Sequence, residues 1–289
     1  QALAWEGSFE EYLNMVLKDP APTRLAHARI HDMIIHSGVS KGPMGVPSYG
    51  LFAKELYGLD RALDRIVAYF RAATQAAEVR KRILLLMGPP ASGKSTIVNL
   101  LKAGLEQYTR TREGAVYAIK GCPMQEEPLH LIPPDRREEF ARTYGIQIEG
   151  ELCPRCRYLL SREYGGDIAR VRVRRVVLSA SSGVGVGSFV ATGPYASDIS
   201  RLVGSVDESL LSGDRMEESG RAFRLEGEFE AANRGIMEFI EIFKSDPRFL
   251  TVLLGVSQER QIKLGNFGVV YADEAIVAHS NLAEYEAFS

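Results

Sequence analysis

At 289 residues, 45% of them hydrophobic and 25% charged, the chain is long enough to bury one large core or two small ones. A formal net charge of −2 forecasts neither a nucleic-acid coat nor a polybasic membrane surface, and no apolar run approaches the roughly 20 residues that span a bilayer. Three cysteines, an odd number, and no recognisable secretory leader fit a reducing cytoplasm better than a disulfide framework. The chain opens at Gln1 without an initiator Met and stops as abruptly at Ser289, so it reads as a piece of a longer polypeptide.

Residues 5–36 are expected to form two helices. Ser8 can cap the first, with Phe9, Tyr12, Leu13, Val16 and Leu17 on one face and Pro20 closing it. The second covers residues 23–36 on an apolar stripe of Leu25, Ile30, Met33 and Ile34. His27 and His31 lie four apart on it, a spacing that could hold a metal, but no acidic partner accompanies them and a solvated or core-edge pair is expected. Residues 41–47 read as a linker by composition. A long amphipathic helix over residues 59–77 then leads into Ile83-Leu84-Leu85-Leu86-Met87, a continuous apolar run of the kind that forms a strand buried on both faces.

Gly88-Pro89-Pro90-Ala91-Ser92-Gly93-Lys94-Ser95 follows at once and satisfies the phosphate-loop pattern G-x-x-x-x-G-K-[ST]. Downstream, Ile97, Leu100, Leu101 and Leu105 recur at helical spacing. Strand, glycine loop, helix is the context that makes the pattern a site. The loop from Gly88 to Thr96, through the backbone N–H groups of its non-proline residues and the helix N-terminus, would cradle the phosphates of a nucleoside triphosphate, expected to be ATP. Lys94 would reach the β and γ phosphates, and the Ser95 hydroxyl would ligate Mg²⁺.

Residues 115–120 read as a second strand. Residues 122–170 then break the α/β alternation and carry Cys153-Pro154-Arg155-Cys156. Cys122 and His130 could complete that single C-x-x-C into a zinc site; a reduced thiol pair is the plainer expectation. Val171-Arg172-Val173-Arg174 alternates like a half-exposed strand. Together with Arg170 and Arg175 it makes an arginine run, read as a solvated face rather than a dock for an acidic partner. Gly183-Val184-Gly185-Val186-Gly187 marks a flexible turn or bulge. An apolar strand over residues 235–242, a helix over 246–258 and a buried strand over 275–278 resume the alternation.

Ala232-Asn233-Arg234-Gly235 leads into Ile236-Met237-Glu238-Phe239-Ile240-Glu241. This resembles the Walker B region of AAA+ ATPases of the magnesium-chelatase type, where the same four residues open an apolar strand ending in Asp-Glu. The resemblance puts Glu241 at the catalytic glutamate and Ile240 where the metal-binding aspartate belongs. Glu238 points to the same face as Ile240 but about 6.6 Å away along the strand, too far to stand in. Mg²⁺ is then expected on Ser95, phosphate oxygens and water. Asn281 falls at the sensor-1 position, where it would orient the attacking water.

Further matches run the length of the chain: Trp5-Glu6-Gly7, Leu25-Ala26-His27-Ala28-Arg29-Ile30, residues 78–86, Cys122-Pro123-Met124, residues 127–133 and Tyr271-Ala272-Asp273-Glu274. Together they make the chain similar to the N-terminal AAA+ portion of the PrkA family. The resemblance implies an α/β AAA+ P-loop core, a parallel sheet flanked by helices, over residues 49–289. An inserted Cys-containing segment is placed at about 122–175, and a helical region and linker over 1–48; the lid and a C-terminal kinase-like domain are expected to lie outside this chain. It also implies ATP and Mg²⁺ as cofactors, bacterial serine protein kinase activity on a protein substrate, and a homo-oligomer through the AAA+ interface.

Two other functions stay open on these residues. One is an AAA+ motor that remodels proteins or feeds a protease; the other is a nucleotide-gated switch, prompted by the missing Walker B aspartate. A eukaryotic-type kinase site is not expected. Gly183-x-Gly185-x-Gly187 follows the strand Tyr117-Ala118-Ile119-Lys120 instead of preceding it, no His-Arg-Asp occurs, and Asn266-Phe267-Gly268 lacks the metal-binding Asp.

Overall fold

Strand β1 (Glu6–Ser8) runs directly into helix α1 (Phe9–Val16) in the computed structural model, which describes residues 2–42, 45–191, 199–207, 222–263 and 269–288. Ser8 Oγ accepts the Glu11 N–H at 3.2 Å and Glu11 Oε2 accepts the Ser8 N–H at 2.6 Å, a reciprocal cap. Helix α2 (Ala26–His36) starts later than its stripe predicts, because a 3-10 turn over Ala21–Thr23 precedes it. Strands β2 (Val39–Lys41) and β3 (Pro47–Tyr49) pair antiparallel, so the expected linker is a short hairpin. Pro43 and Met44 lie outside the described residues. Helix α3 (Asp60–Gln75) buries Leu63, Ile66, Val67, Phe70 and Ala73 as one stripe.

The chain continues through α4 (Ala77–Arg80), β4 (Leu84–Met87), α5 (Lys94–Arg110) and β5 (Val116–Ile119). Next come α6 (Pro134–Tyr144), α7 (Pro154–Arg162), β6 (Arg172–Val176) and β7 (Val186–Val190). Short elements α8 (Ser200–Val203), β8 (Ser205–Val206), β9 (Phe223–Arg224) and α9 (Glu228–Ala232) lead to β10 (Ile236–Ile240). Helix α10 (Pro247–Glu259), the hairpin of β11 (Gln261–Lys263) and β12 (Val269–Tyr271), β13 (Ala275–Ser280) and α11 (Leu282–Phe288) follow.

Strands β4, β13, β10 and β7, in that order, form a parallel sheet. Alternation sorts its side chains between two cores. Ile236, Ala275 and Val277 pack with residues of α2, α3 and α5. Met237, Phe239, Ile276 and Ala278 pack with Phe189, Phe229, Phe249 and Leu253 on the opposite face. Helices on both faces of a parallel sheet make this an α/β core.

Two local expectations fail. Val186 and Gly187 do not form a flexible turn but begin β7, with Gly187 opposite Met237. A Cβ on Gly187 would stand 2.2 Å from the Glu228 carbonyl oxygen, so close packing selects this glycine. Strand β4 is not buried on both faces: Leu85 and Met87 are each 41% exposed. It is the end strand of the sheet, and an apolar run reads the same at an end as at the centre.

Strand β5 belongs to a separate antiparallel sheet ordered β1-β6-β5, so the N-terminal strand shares a sheet with β5 and β6. Val173 is buried and Arg172 and Arg174 are exposed, as the alternation predicts. Arg175 departs from the solvated face. It is 8% exposed, and its Nη2 donates to the carbonyls of Thr109 at 3.3 Å, Arg110 at 3.2 Å and Thr111, closing the C-terminal end of α5.

Asn233 and Arg234 clamp β5 and the loop after it to the start of β10. Asn233 Nδ2 donates to the Met124 carbonyl at 2.7 Å, and its Oδ1 accepts the Asp273 N–H at 2.8 Å. Arg234 donates to the Tyr117 carbonyl at 3.2 Å and pairs with Glu127 at 2.6 Å. His27 is buried with Nε2 3.2 Å from the Tyr69 hydroxyl, while His31 lies beside Asp32 at 3.6 Å, so the two are committed to different partners. Among the described residues no helix is long and apolar enough to cross a membrane.

Candidate nucleotide site

The phosphate loop bridges the end of β4 at Met87 and the start of α5 at Lys94. Gly93 holds φ at +84°, a region that glycine enters without the steric cost of a Cβ. A Cβ there would also lie 3.2 Å from Leu56 Cδ2 and 3.5 Å from Leu59 Cδ1. Lys94 folds back over the loop. Its Nζ donates to the carbonyls of Gly88 and Pro89, each at 2.7 Å, and to Ser92 Oγ at 3.2 Å. These three acceptors are ones that phosphate oxygens can replace.

Ala91, Ser92, Gly93, Lys94, Ser95 and Thr96 line one wall of a cleft of about 690 Å³. Glu55, Leu56, Tyr57 and Leu59 line the other. A second cleft of about 580 Å³ is lined by Gly88, Pro89, Ser92, Lys94 and residues of α3. The sequence names no residue to meet a base. The structure brings Leu56, Tyr57 and Leu59 to the loop, and Tyr57 is 79% exposed. The available signal was slight: apolar residues around Gly58, just ahead of α3.

Parallel pairing brings the remaining candidates to one edge of the sheet. Ile240 pairs with His279, and Ser280 with Met87. Glu241 follows β10 directly with φ at +56°; its N–H donates to the His279 carbonyl at 3.0 Å. Its carboxylate lies 3.0 Å from Lys244 Nζ. Asn281 follows β13 and caps α11: Oδ1 accepts the Glu284 N–H at 2.9 Å, and Nδ2 donates to Glu284 Oε1 at 2.7 Å. Glu284, which no motif singled out, also accepts from the Ser280 hydroxyl and lies 3.1 Å from Lys244. Burial raises its pKa, but the Ser280, Lys244 and Asn281 donors together hold its carboxyl below the usual range.

Glu238 sits inside the sheet. Its Oε1 is 2.9 Å from His279 Nε2, while Oε2 takes the Lys102 ammonium of α5 and the Ser188 hydroxyl of β7 at 3.2 Å. Burial alone would raise its pKa, but His279 and Lys102 hold it below the usual range. Ile240 offers no donor atom. Ser95 lines the cleft beside Ser92 and Thr96. Of the kinase-like fragments, Lys120 pairs with Glu6 at 2.9 Å in the antiparallel sheet, and Asn266-Phe267-Gly268 lies outside the described residues.

The PrkA AAA domain family matches residues 7–289. The chain is 48% identical over 289 residues to ATP-dependent protease PrkA of Bacillus subtilis (strain 168), covering 100% of this chain and 46% of that protein. It is 31% identical over 247 residues to serine/threonine kinase YeaG of Escherichia coli (strain K12), covering 81% of this chain and 37% of that protein. Among solved structures, the complex of magnesium chelatase subunits BchI and BchD matches with a TM-score of 0.44 at 19% identity, over 75% of this chain and 51% of that one. The chain spans less than half the length of these two curated relatives. With a family match that begins at Gly7 and runs to the last residue, over a parallel-sheet core that carries a phosphate loop, this chain belongs to the PrkA AAA domain family.

Proposed function

We propose that the chain is the ATP-binding AAA+ module of a PrkA-type serine protein kinase, taking ATP and Mg²⁺ at the phosphate loop and hydrolysing ATP at the tips of β10 and β13. The observation that carries this reading is Lys94, poised over the loop carbonyls at the mouth of a cleft walled by Leu56, Tyr57 and Leu59. On this reading residues 1–48 are an extension of the core over 49–289, the segment 122–175 is an insertion, and copies assemble through the AAA+ interface in the cytoplasm.

The chemistry follows from the residues. Loop N–H groups and the α5 N-terminus receive the phosphates. Lys94 exchanges Gly88, Pro89 and Ser92 for phosphate oxygens, so its donors stay occupied throughout. Ser95 Oγ would hold Mg²⁺, which when bound neutralises charge between the β and γ phosphates. One hydroxyl without a strand carboxylate suits a metal that keeps much of its hydration. Glu241, released from Lys244, accepts the proton of the attacking water. Asn281, released from Glu284, orients that water.

The named relatives divide between a kinase and an ATP-dependent protease, and either activity consumes ATP at such a site. The engagement of Glu241 by Lys244 favours slow turnover, and with it a second reading as a nucleotide-gated switch. A time course of ADP release with and without a phospho-acceptor protein separates these. Acceptor-dependent release with label on serine supports the kinase; acceptor-independent turnover supports a remodelling ATPase. Binding without turnover supports the switch. Absence of MgATP binding contradicts all three.

A further inference from the structure

Three cysteines far apart in sequence meet in one buried place. Cys122 follows β5, whereas Cys153 and Cys156 open α7, and each is at most 2% exposed. Cys122 Sγ lies 3.9 Å from Cys153 Sγ and 4.0 Å from Glu126 Oε2. One donor atom from each of Cys122, Glu126, Cys153 and Cys156 lies within 4.8 Å of all the others. A tetrahedral ion with Zn–S bonds of about 2.3 Å puts neighbouring sulfurs about 3.8 Å apart. A disulfide would require about 2.05 Å. The observed spacing is that of a tetrahedron's edge.

We propose that Cys122, Cys153, Cys156 and Glu126 form a structural zinc site that fastens α7 to the loop after β5. The second pair of ligands that the sequence lacks is supplied by the loop after β5, with a carboxylate in place of a fourth sulfur.

Each donor is already oriented. The Cys156 N–H donates to Cys153 Sγ at 3.4 Å, with Cys153 the N-cap of the nine-residue α7 and Cys156 in its first turn. Glu126 Oε1 accepts the Cys153 N–H at 2.8 Å and lies 3.1 Å from His130 Nδ1, which leaves Oε2 facing the sulfurs. His130 Nε2 is 2.7 Å from the Glu149 carbonyl. With both ring nitrogens engaged, His130 is not a ligand; it is a positioning residue behind Glu126.

The four acidic groups are crowded into apolar surroundings that include Ile119, Leu129 and Ile146. Ionised together without a counter-charge, they would lose their hydration and repel one another. A divalent cation reverses that penalty: binding sends three thiol protons to solvent and keeps Glu126 ionised. Thiolate-rich, four-coordinate and closed to water, the set suits Zn²⁺ and not Mg²⁺ or Ca²⁺. The same loop presents the Met124 carbonyl to Asn233 and the Glu127 carboxylate to Arg234, so the ion would brace the approach to β10.

The test is metal analysis of untagged protein purified under reductant and without chelator. One zinc per chain is expected. Replacement by Co²⁺ should give the visible spectrum of a tetrahedral centre and a thiolate-to-cobalt charge-transfer band. The double change Cys153→Ser, Cys156→Ser should abolish both. Should that variant fail to fold, His130→Ala keeps the proposal testable: zinc affinity in chelator competition should fall about 10–100-fold, with one zinc still bound at saturation. Folded, reduced protein that takes up neither zinc nor cobalt overturns the proposal. So does a Cys122–Cys153 disulfide recovered in unreduced peptides.

Discussion

Glu238 and His279 face one another across the β10–β13 pair, Oε1 to Nε2 at 2.9 Å, and Lys102 reaches in from α5 to close on the other carboxylate oxygen. The cluster joins a strand pair to the helix that begins at the phosphate loop. It makes Glu238 a structural residue, whereas Glu241, three positions on, stands at the strand tip.

Glu238→Gln should therefore act on stability. It leaves Lys102, whose side chain is 12% exposed, without its counter-charge, a loss worth about 3–5 kcal/mol. Urea unfolding should show it. Glu241→Gln should leave unfolding unchanged and slow hydrolysis by about 10²–10⁴, since an amide cannot take the water's proton. The opposite ranking in hydrolysis on folded protein would show the Walker B register to be wrong.

Asn281 needs a substitution that separates its two roles. Asn281→Ser keeps a cap acceptor for the Glu284 N–H but lacks the reach to a water beyond the strand tip. Stability should fall by less than about 1 kcal/mol, while hydrolysis slows. Unchanged turnover in Asn281→Ser would leave the residue as a helix cap alone.

Gly93→Ala places a Cβ at φ +84°, against Leu56 and Leu59. The left-handed backbone alone costs about 1–2 kcal/mol, so both melting temperature and MgATP affinity should drop. Tyr57→Ala should leave the melting temperature unchanged and weaken MgATP about tenfold, within the ~1–3 kcal/mol of a base stacked on an aromatic ring. Equal affinities for wild type and Tyr57→Ala in calorimetry would remove Tyr57 from the base site.

Glu230, 1% exposed in α9, has its carboxyl pushed up to about 8 by burial, against the backbone N–H groups of Gly227 and of Glu230 itself. Its ordinary value is 4.5, so the folded chain binds this proton more tightly than the unfolded chain. The stability it contributes is complete below pH 4.5 and is lost as pH rises to about 8. Urea midpoints should decline over that window, and Glu230→Gln should flatten the decline. A wild-type slope in the variant contradicts this assignment.

How much of this was legible in the sequence follows from the range of each signal. The helices α3 and α5 and the strands β10 and β13 announce themselves because each carries its own apolar period. The strand β7 was hidden by Gly187, whose missing side chain is set by α9 packing against it and not by any local preference. The strand β5 was visible, but its sheet was not: β6 and β1 reach it from opposite ends of the chain. Gly88 to Ser95 needed only eight adjacent residues. Glu284 and Glu126 joined their clusters through pairings between segments that no spacing records.

The central claim is that Lys94 holds the phosphates of ATP. Its ammonium now rests on Gly88, Pro89 and Ser92. Isothermal titration of MgATP into wild type and Lys94→Ala, with thermal unfolding of both, tests this directly. The account predicts saturable binding to wild type, loss of binding in Lys94→Ala, and equal melting temperatures. Retained affinity in Lys94→Ala would contradict it.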